Sequence, residues 1–288
     1  MMVQRMRWWL VVALGFLLTL GLVACGANDP PTAPDSETPK DGVRLSGSIQ
    51  IAGSTSVQPL AEELAQAFMT NNPGVTINVA GGGSGAGITA AQNGTADIGM
   101  SSRELKDEEK ENLMEHRIAL DGIAVVIHPD NPVTELTVDQ IKAIFTGKIT
   151  NWQEVGGSNA PITIFRREDG SGTLGAFVEL TLGKDVSITD KALQQNSNGA
   201  MRTAIAGEPN AIGFISFGYL NNTIKPIKVD GVEANANNIK NGSYKLARPF
   251  LFLTSKEPQG VVKAFIDFVL SPEGQKIVAV GYIPVTEE

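Results

Sequence analysis

The chain has 288 residues and a formal net charge of −8 at pH 7, with 31 acidic and 23 basic side chains. This acidic balance argues against a nucleic-acid-binding protein, which would carry a basic patch. A site for an anion would have to be built locally from aimed N–H and O–H groups, because the overall field repels anions. The single cysteine, Cys25, excludes an internal disulfide and a cysteine-based metal site.

Residues 1–24 predict a bacterial lipoprotein signal peptide. Arg5 and Arg7 form a short basic region, and residues 8–23 are almost wholly apolar. This run is too short and too close to the N-terminus to be interpreted first as a spanning helix. It ends in a small residue before Cys25, the pattern at which a diacylglycerol is attached and the signal is cleaved. Lipidation would anchor the protein on the extracytoplasmic face of the cell membrane; the alternative is an uncleaved N-terminal anchor.

Residues 25–46 predict a lipidated flexible tether, since they hold four prolines among polar residues and show no apolar periodicity. The remaining stretch of about 240 residues is long for one core and suits two lobes.

Short apolar runs alternate with amphipathic segments along this globular part. The runs that predict strands are residues 49–52, 75–80, 97–100, 123–127, 162–165, 211–216 and 250–253. The segments that predict helices are residues 57–68, 85–92, 107–113, 138–144, a stretch from about 173, and 261–269. Such alternation predicts an α/β fold of two lobes, each with a mainly parallel sheet flanked by helices.

Three of the predicted strands end in a turn rich in Ser, Thr and Gly, and a helix follows each turn. The turns are residues 53–56, 81–87 and 169–173. Each turn would expose free N–H groups at the positive end of a helix. Each also lies beyond the carboxyl end of a strand, which is where open α/β sheets bind their ligands. Together the turns predict a small oxyanion site, although a single Ser or Thr before a helix is usually only an N-cap.

An arginine pair, Arg166 and Arg167, precedes the third turn. A guanidinium can grip two oxygens of a tetrahedral anion, and Asp169 is close enough in sequence to hold one guanidinium in place. The alternative interpretation is a solvent-exposed salt bridge, which is common and weak. The neighbouring Ser-Gly-Thr turn favours the binding role.

The turns, their order and their spacing resemble the phosphate-binding proteins of the bacterial phosphate-specific (Pst) ABC transport system. The resemblance extends over most of residues 47–285, including 136–157, 211–214 and 238–244. It implies the two-lobed periplasmic-binding-protein fold with two hinge crossings. It also implies inorganic phosphate as the ligand, delivery to a transmembrane permease, a monomer, no cofactor, no metal and no enzymatic activity.

The same resemblance implies which residues hold the phosphate. They are Thr55, Ser56, Ser84, Arg167, Ser171, Gly172 and Thr173, with Asp169 supporting the arginine. The best-known members add an Asp that accepts the phosphate proton, and Ser102 stands at that place here. A serine hydroxyl can accept or donate a hydrogen, so discrimination against sulfate stays open. Glu104 is the alternative proton acceptor, and Arg103 could supply a second cation.

The predicted lobes are separated by two crossings of the chain. The first lobe comprises residues 47–121 and 250–288, and the second comprises residues 122–249. Two crossings would permit hinge closure around a ligand held between the lobes.

An enzyme is the main rival class. The only two histidines, His116 and His128, lie in no nucleophile motif, and Ala86 breaks the Gly-x-Ser-x-Gly pattern at the glycine-rich turn. The chain has no P-loop motif and no clustered His and Asp for a metallophosphatase. A binding protein for another oxyanion, such as sulfate, molybdate or tungstate, is the second alternative.

Overall fold

The computed structural model describes residues 45–183 and 185–286. The predicted signal peptide, Cys25 and nearly all of the predicted tether lie outside the described residues. Among the helices of the described part, none is long and apolar enough to cross a membrane.

Strand–helix units form the first part of the fold. Their elements are β1 (Ser46–Gly53), α1 (Gln58–Asn71), β2 (Gly74–Gly81), α2 (Ser84–Gln92), β3 (Ile98–Ser101) and the short α3 (Asp107–Lys110). β1 pairs in parallel with both β2 and β3. The apolar face that predicts α1 is the face it buries, which consists of Leu60, Ala61, Leu64, Ala65 and Phe68.

A 14-residue strand, β4 (Met114–Ile127), links two halves of the sheet. Up to Gly122 it pairs antiparallel with β11 (Ala247–Thr254), and from Ile123 it pairs antiparallel with β8 (Ala211–Ser216). The sequence predicted only residues 123–127 as a strand. The preceding residues mix exposed charged side chains with buried apolar ones and form no continuous apolar run.

The second part of the fold contains shorter elements. They are β5 (Glu135–Leu136), α4 (Val138–Phe145), β6 (Thr163–Arg167), α5 (Gly172–Phe177), β7 (Leu193–Gln195), α6 (Asn198–Ala206), β8, β9 (Lys225–Pro226), β10 (Lys228–Val229) and α7 (Ala236–Lys240). Three single turns add to these: 3-10 helices at Trp152–Val155 and Phe217–Tyr219 and a π-helix at Val178–Leu182. β6 pairs in parallel with β7 and β8. Two helices, α8 (Gly260–Leu270) and α9 (Pro272–Gly281), follow β11 and pack on the first part.

The main sheet runs in the order β2-β1-β3-β11-β4-β8-β6-β7, with β9 also paired to β4. We call β2, β1, β3, β11 and β4 up to Gly122 the first half, and β4 from Ile123, β8, β6 and β7 the second half. The outer strand pairs of each half are parallel, and β4 and β11, where the chain passes between the halves, are antiparallel. The predicted α/β class with mainly parallel sheets is confirmed.

Each half has its own large apolar core. The core of the first half includes Ile49, Leu60, Phe252 and Phe265, all fully buried. The core of the second half includes Phe145, Trp152, Phe177 and Phe214. In it, the rings of Phe177 and Phe214 stack with their centroids 3.9 Å apart.

Three of the helices described above illustrate where the sequence prediction was wrong or silent. The predicted helix at 107–113 ends at Lys110, because Asn112 takes a left-handed conformation with φ of 63° and turns the chain into β4. α6 was not predicted, since it buries only Met201 and Ile205 as large apolar side chains. α9 was also missed.

Candidate functional site

The three predicted turns meet at the carboxyl edges of the two halves. Ser56, after β1, lies 2.8 Å from Thr173, at the start of α5, measured between their hydroxyl oxygens. The hydroxyls of Ser84 and Ser102 lie 3.4 Å apart. Gly172 packs against these two serines so closely that a Cβ at position 172 would overlap their hydroxyls. Residues predicted from three separate motifs therefore form one cluster, which we call the hydroxyl cluster.

Arg167 reaches this cluster from the end of β6 and is 1% exposed. Its Nη2 donates to Thr55 Oγ1 at 3.1 Å. Its Nε and Nη2 also donate to the two carboxylate oxygens of Glu168, both at 2.9 Å. Its Nη1 is buried and has no hydrogen-bond partner among the described residues. A buried charged donor without an acceptor is costly unless a ligand supplies one.

The predicted support of Arg167 by Asp169 is wrong. Asp169 accepts instead from Arg166 Nη1 at 2.8 Å, and its side chain is 85% exposed. Successive side chains of a strand point to opposite faces, so Arg166 and Arg167 diverge at the end of β6. The exposed salt bridge that the sequence left as an alternative exists, but it belongs to Arg166.

A second buried arginine, Arg248, was not predicted. It lies on β11, is 3% exposed, and donates from Nη2 to Ser56 Oγ at 3.2 Å and from Nη1 to Ser102 Oγ at 3.3 Å. Its Nε and Nη2 donate to Asp121 Oδ2 at 3.1 and 2.9 Å. The sequence did carry one signal, a charged residue at the start of an apolar strand. Since buried arginines are rare unless they are paired, an arginine at such a position indicates a buried partner.

Asp121 lies on β4 and is fully buried. Burial raises the pKa of the Asp121 carboxyl, and the adjacent Arg248 opposes that rise. Burial also lowers the pKa of Arg248, but a guanidinium starts so high that it keeps its charge. The cluster thus holds two cations, Arg167 and Arg248, each paired with one carboxylate.

Asn198, the first residue of α6, is a further member that the sequence did not predict. It is fully buried, and its Nδ2 donates to Ser56 Oγ at 2.9 Å and lies 3.4 Å from Thr55 Oγ1. Its Oδ1 accepts from the backbone N–H of Ser216 at 3.0 Å, which fixes the orientation of the amide. No sequence motif marks this position.

Ser171 has a capping role. Its Oγ accepts from the backbone N–H of Leu174 at 3.2 Å, as an N-cap of α5 does. It is buried and directly precedes Gly172.

Arg103 and Glu104, the alternative cation and the alternative proton acceptor considered from the sequence, form their ion pairs outside the hydroxyl cluster. Arg103 donates to Glu109 at 2.6 and 2.8 Å, and this hydrogen-bonded arginine lowers the pKa of Glu109. Glu104 is exposed and pairs with Arg117 at 3.0 Å. The second cation of the cluster is therefore Arg248 rather than Arg103, and Glu104 does not face the cluster.

Comparison with known proteins gives consistent relatives. A family model described as the PBP superfamily domain matches residues 32–273. The phosphate-binding protein PstS of Bacillus subtilis (strain 168) is 36% identical over 272 residues, which cover 92% of this chain and 89% of that relative.

Solved structures agree with these relatives. A structure with bound phosphate from Clostridium perfringens, of a protein assigned as a phosphate ABC transporter substrate-binding protein, is 49% identical to this chain. It aligns with a TM-score of 0.81 over 83% of this chain and 100% of that one. An ABC-type phosphate transport receptor from Vibrio cholerae is 37% identical, with a TM-score of 0.70 over 82% of this chain and 99% of that one. The chain therefore belongs to the PBP superfamily and, within it, to the family of PstS-type phosphate-binding proteins.

Proposed function

We propose that this protein captures inorganic phosphate in the hydroxyl cluster, between the two halves of the sheet, and delivers it to the permease of an ABC transporter. The observation that carries the proposal is the buried Nη1 of Arg167, which has no hydrogen-bond partner in the described part of the chain and belongs to a guanidinium that contacts Thr55. Arg167 and Arg248 can supply charge-assisted hydrogen bonds to a tetrahedral anion, and the turns add hydroxyls and free N–H groups.

Phosphate is favoured over sulfate, molybdate and tungstate by the relatives. Those reported above are named for phosphate binding or phosphate transport, and the Clostridium perfringens structure holds phosphate. The site residues we assign to the ligand are Thr55, Ser56, Ser84, Ser102, Arg167, Ser171, Gly172 and Thr173, with Arg248 and Asn198 added.

The two halves would act as lobes that close on the ligand. The chain passes between them at Gly122–Ile123 in β4 and at Leu246–Ala247 before β11. These points lie side by side, because Ala247 pairs with Gly122 and the Ile123 N–H donates to the Leu246 carbonyl at 2.7 Å. Adjacent crossings favour a hinge. The lobes that we propose are those predicted from the sequence, residues 47–121 with 250–288 and residues 122–249, and their boundaries lie within three residues of these crossings.

We propose binding without turnover. The two histidines, the usual candidates for acid–base catalysis, contact groups outside the hydroxyl cluster. His116 contacts the Thr254 hydroxyl at 3.0 Å, and His128 lies 3.8 Å from Asp130. We further propose that the chain acts as a monomer, held outside the cell membrane by a lipid on Cys25.

One variant tests both parts of the proposal. A Cys25→Ser chain, expressed in a bacterium, should leave the membrane fraction, and titration calorimetry of the purified protein should detect one phosphate bound per chain. Absence of binding heat and of competition by phosphate would contradict the ligand assignment. Retention of the variant in the membrane fraction would contradict the lipid anchor without affecting the ligand assignment.

A further inference from the structure

Two groups that contact the Ser56 hydroxyl, a guanidinium and an amide N–H, can only donate hydrogen bonds to it. Its Oγ accepts from Arg248 Nη2 at 3.2 Å and from Asn198 Nδ2 at 2.9 Å. A serine hydroxyl has two lone pairs and one hydrogen. Because both lone pairs are occupied, Ser56 can take part in a third hydrogen bond only as a donor. Here its hydrogen points to Thr173 Oγ1 at 2.8 Å.

Ser102, the residue at the position of the usual aspartate, is constrained in the same way. Its Oγ accepts from Ser54 Oγ at 2.8 Å and from Arg248 Nη1 at 3.3 Å. The Ser54 oxygen itself accepts from the backbone N–H of Ser56 at 3.2 Å, which leaves its hydrogen for Ser102. Ser102 therefore has no lone pair to spare, and its hydrogen, which faces Ser84 Oγ at 3.4 Å in this arrangement, is what it can offer to a ligand.

Thr55 completes the set. Its Oγ1 accepts from Arg167 Nη2 at 3.1 Å and lies 3.4 Å from Asn198 Nδ2. The amide of Asn198 cannot turn its oxygen to these hydroxyls, since that oxygen accepts from the Ser216 N–H. The two arginines and the oriented Asn198 amide therefore occupy the lone pairs of the Thr55, Ser56 and Ser102 hydroxyls. The hydrogens of these hydroxyls are left to donate to a further group.

We infer that Thr55, Ser56 and Ser102 donate to the bound oxyanion and cannot accept its protons, so that the site selects the less protonated form. This inference rests on the proposed phosphate function and specifies its ligand: dianionic phosphate is preferred over the monoanion, and sulfate competes. Of the two roles that the sequence left open for Ser102, it assigns the donor role.

The remaining hydroxyls allow one ligand proton but disfavour two. Ser84 Oγ accepts from the Ser102 N–H at 3.0 Å and lies 3.4 Å from Ser102 Oγ, and Thr173 Oγ1 lies 2.8 Å from Ser56 Oγ. When Ser102 and Ser56 donate to a ligand, Ser84 and Thr173 each keep a lone pair. One of these two hydroxyls can accept a hydrogen bond from the single proton of dianionic phosphate. The second proton of the monoanion would point at the donor hydroxyls of Thr55, Ser56 and Ser102, which have no lone pair to accept it.

The carboxylates beside the cluster are held by its two arginines. Both oxygens of Glu168 accept from Arg167. Asp121 accepts from Arg248 through Oδ2, and its Oδ1, on the side of Ser216 and the Phe217 N–H, is buried without a hydrogen-bond partner among the described residues. The Tyr219 hydroxyl donates to the Thr55 carbonyl at 2.7 Å, and burial raises its pKa, which keeps it protonated.

The inference is tested by calorimetric titration of the purified chain with phosphate and with sulfate, at about pH 5.5 and about pH 8.5. Phosphate should bind at least about tenfold more tightly at the higher pH, where it is the dianion. Sulfate carries no proton in this range, so its affinity should stay constant and lie within about a hundredfold of that of phosphate. A sulfate affinity that changed as much as that of phosphate would assign the pH effect to the protein and overturn the inference.

Two further outcomes would also overturn it: tighter phosphate binding at the lower pH, or absence of sulfate binding. Failure of phosphate to bind at either pH would instead contradict the proposed function.

A pair of serine variants tests the donor role directly. Ser102→Ala should weaken phosphate and sulfate by the same factor, about tenfold, because each ligand loses one donor. Ser101→Ala is the matched control, since the Ser101 hydroxyl donates to the Arg103 carbonyl at 2.9 Å, outside the cluster. It should leave both affinities unchanged. Weakening of phosphate alone in Ser102→Ala would mean that Ser102 accepts the ligand proton.

Discussion

Two buried guanidiniums explain how a chain of net charge −8 can hold an anion. Arg167 and Arg248 are 1% and 3% exposed, and hydrogen bonds to charged groups are stronger in such a low-dielectric setting. Each arginine pairs with one carboxylate, so the buried site avoids a large excess charge while its N–H groups still face the hydroxyl cluster.

Arg167 is the residue on which phosphate affinity should depend most directly. Arg167→Ala should weaken phosphate binding by at least about 2 kcal/mol, roughly thirtyfold, because it removes the charged Nη1 donor that has no partner among the residues the structure describes. Arg167→Lys should restore only part of this loss, since an ammonium cannot grip two oxygens. Titration calorimetry measures both.

The control is Arg166→Ala, which removes an exposed ion pair with Asp169 and should change affinity less than about threefold. Equal losses in the two alanine variants would mean that general charge, rather than the position of Arg167, sets the affinity.

Local sequence pattern predicted part of the site and could not predict the rest. The turns that contain Thr55, Ser84 and Thr173 were predicted because a strand, a turn and a helix follow one another within a few residues. Asp169 was assigned wrongly, because spacing does not tell which face of a strand end a side chain takes. Arg248 is brought in by the pairing of strands from distant parts of the chain, which no local pattern encodes.

At the scale of elements, the antiparallel pair β4–β11 carries both the crossings and a buried ion pair. Asp121 and Arg248 lie opposite each other in this ladder and are almost fully buried. The ladder therefore positions the second cation of the site rigidly beside the point where the halves join. A buried pair of this kind is weak evidence for stability, since its desolvation cost offsets its attraction.

Removing one member of that pair should be far more costly than removing both. Asp121→Asn leaves Arg248 buried without its counter-charge and should lower the free energy of unfolding by about 3–5 kcal/mol. The double variant Asp121→Leu with Arg248→Met should recover much of this loss and still bind phosphate poorly. Urea denaturation gives the stabilities, and calorimetry gives the affinities.

This expectation has a clear contrary outcome. If Asp121→Asn unfolded at the same urea concentration as the unchanged chain, the carboxylate would not be compensating Arg248.

The elements that the sequence predicted best are those with an uninterrupted apolar signal. β8 has the bounds that were predicted, residues 211–216, and all six of its residues are buried. The first part of β4 was missed because it alternates charged and apolar residues, and its pairing with β11 is a tertiary effect. α6 buries too few apolar side chains for its period to be recognised, although it supplies Asn198.

At the scale of the whole molecule, contacts between the halves lie at and beside the hydroxyl cluster. The Gly85 N–H donates to the Gly170 carbonyl at 3.0 Å, and Tyr219 donates to the Thr55 carbonyl. Each bond joins an element of the first half to one of the second. We therefore expect closure of the halves and binding of phosphate to stabilise each other.

Tyr219→Phe should reveal that coupling. The variant removes only the hydroxyl that donates to the Thr55 carbonyl at 2.7 Å. The loss of one such bond, worth about 0.5–1.5 kcal/mol, should reduce the closed population and weaken phosphate binding by up to about tenfold, since affinity scales with the fraction of competent protein. Calorimetry reports the affinity, and small-angle scattering reports whether the phosphate-free chain becomes less compact.

Thr181→Val is the matched control for this prediction. Its buried hydroxyl donates to the Phe177 carbonyl at 2.6 Å, a bond that lies within the second half, whose core includes Phe177. Its loss should lower the free energy of unfolding without changing the balance between open and closed forms, so phosphate affinity should be unchanged. If Tyr219→Phe bound phosphate as tightly as the unchanged chain, or if both variants lost affinity equally, the Tyr219 bond would not contribute to closure. Closure would then depend on the groups that contact the anion itself.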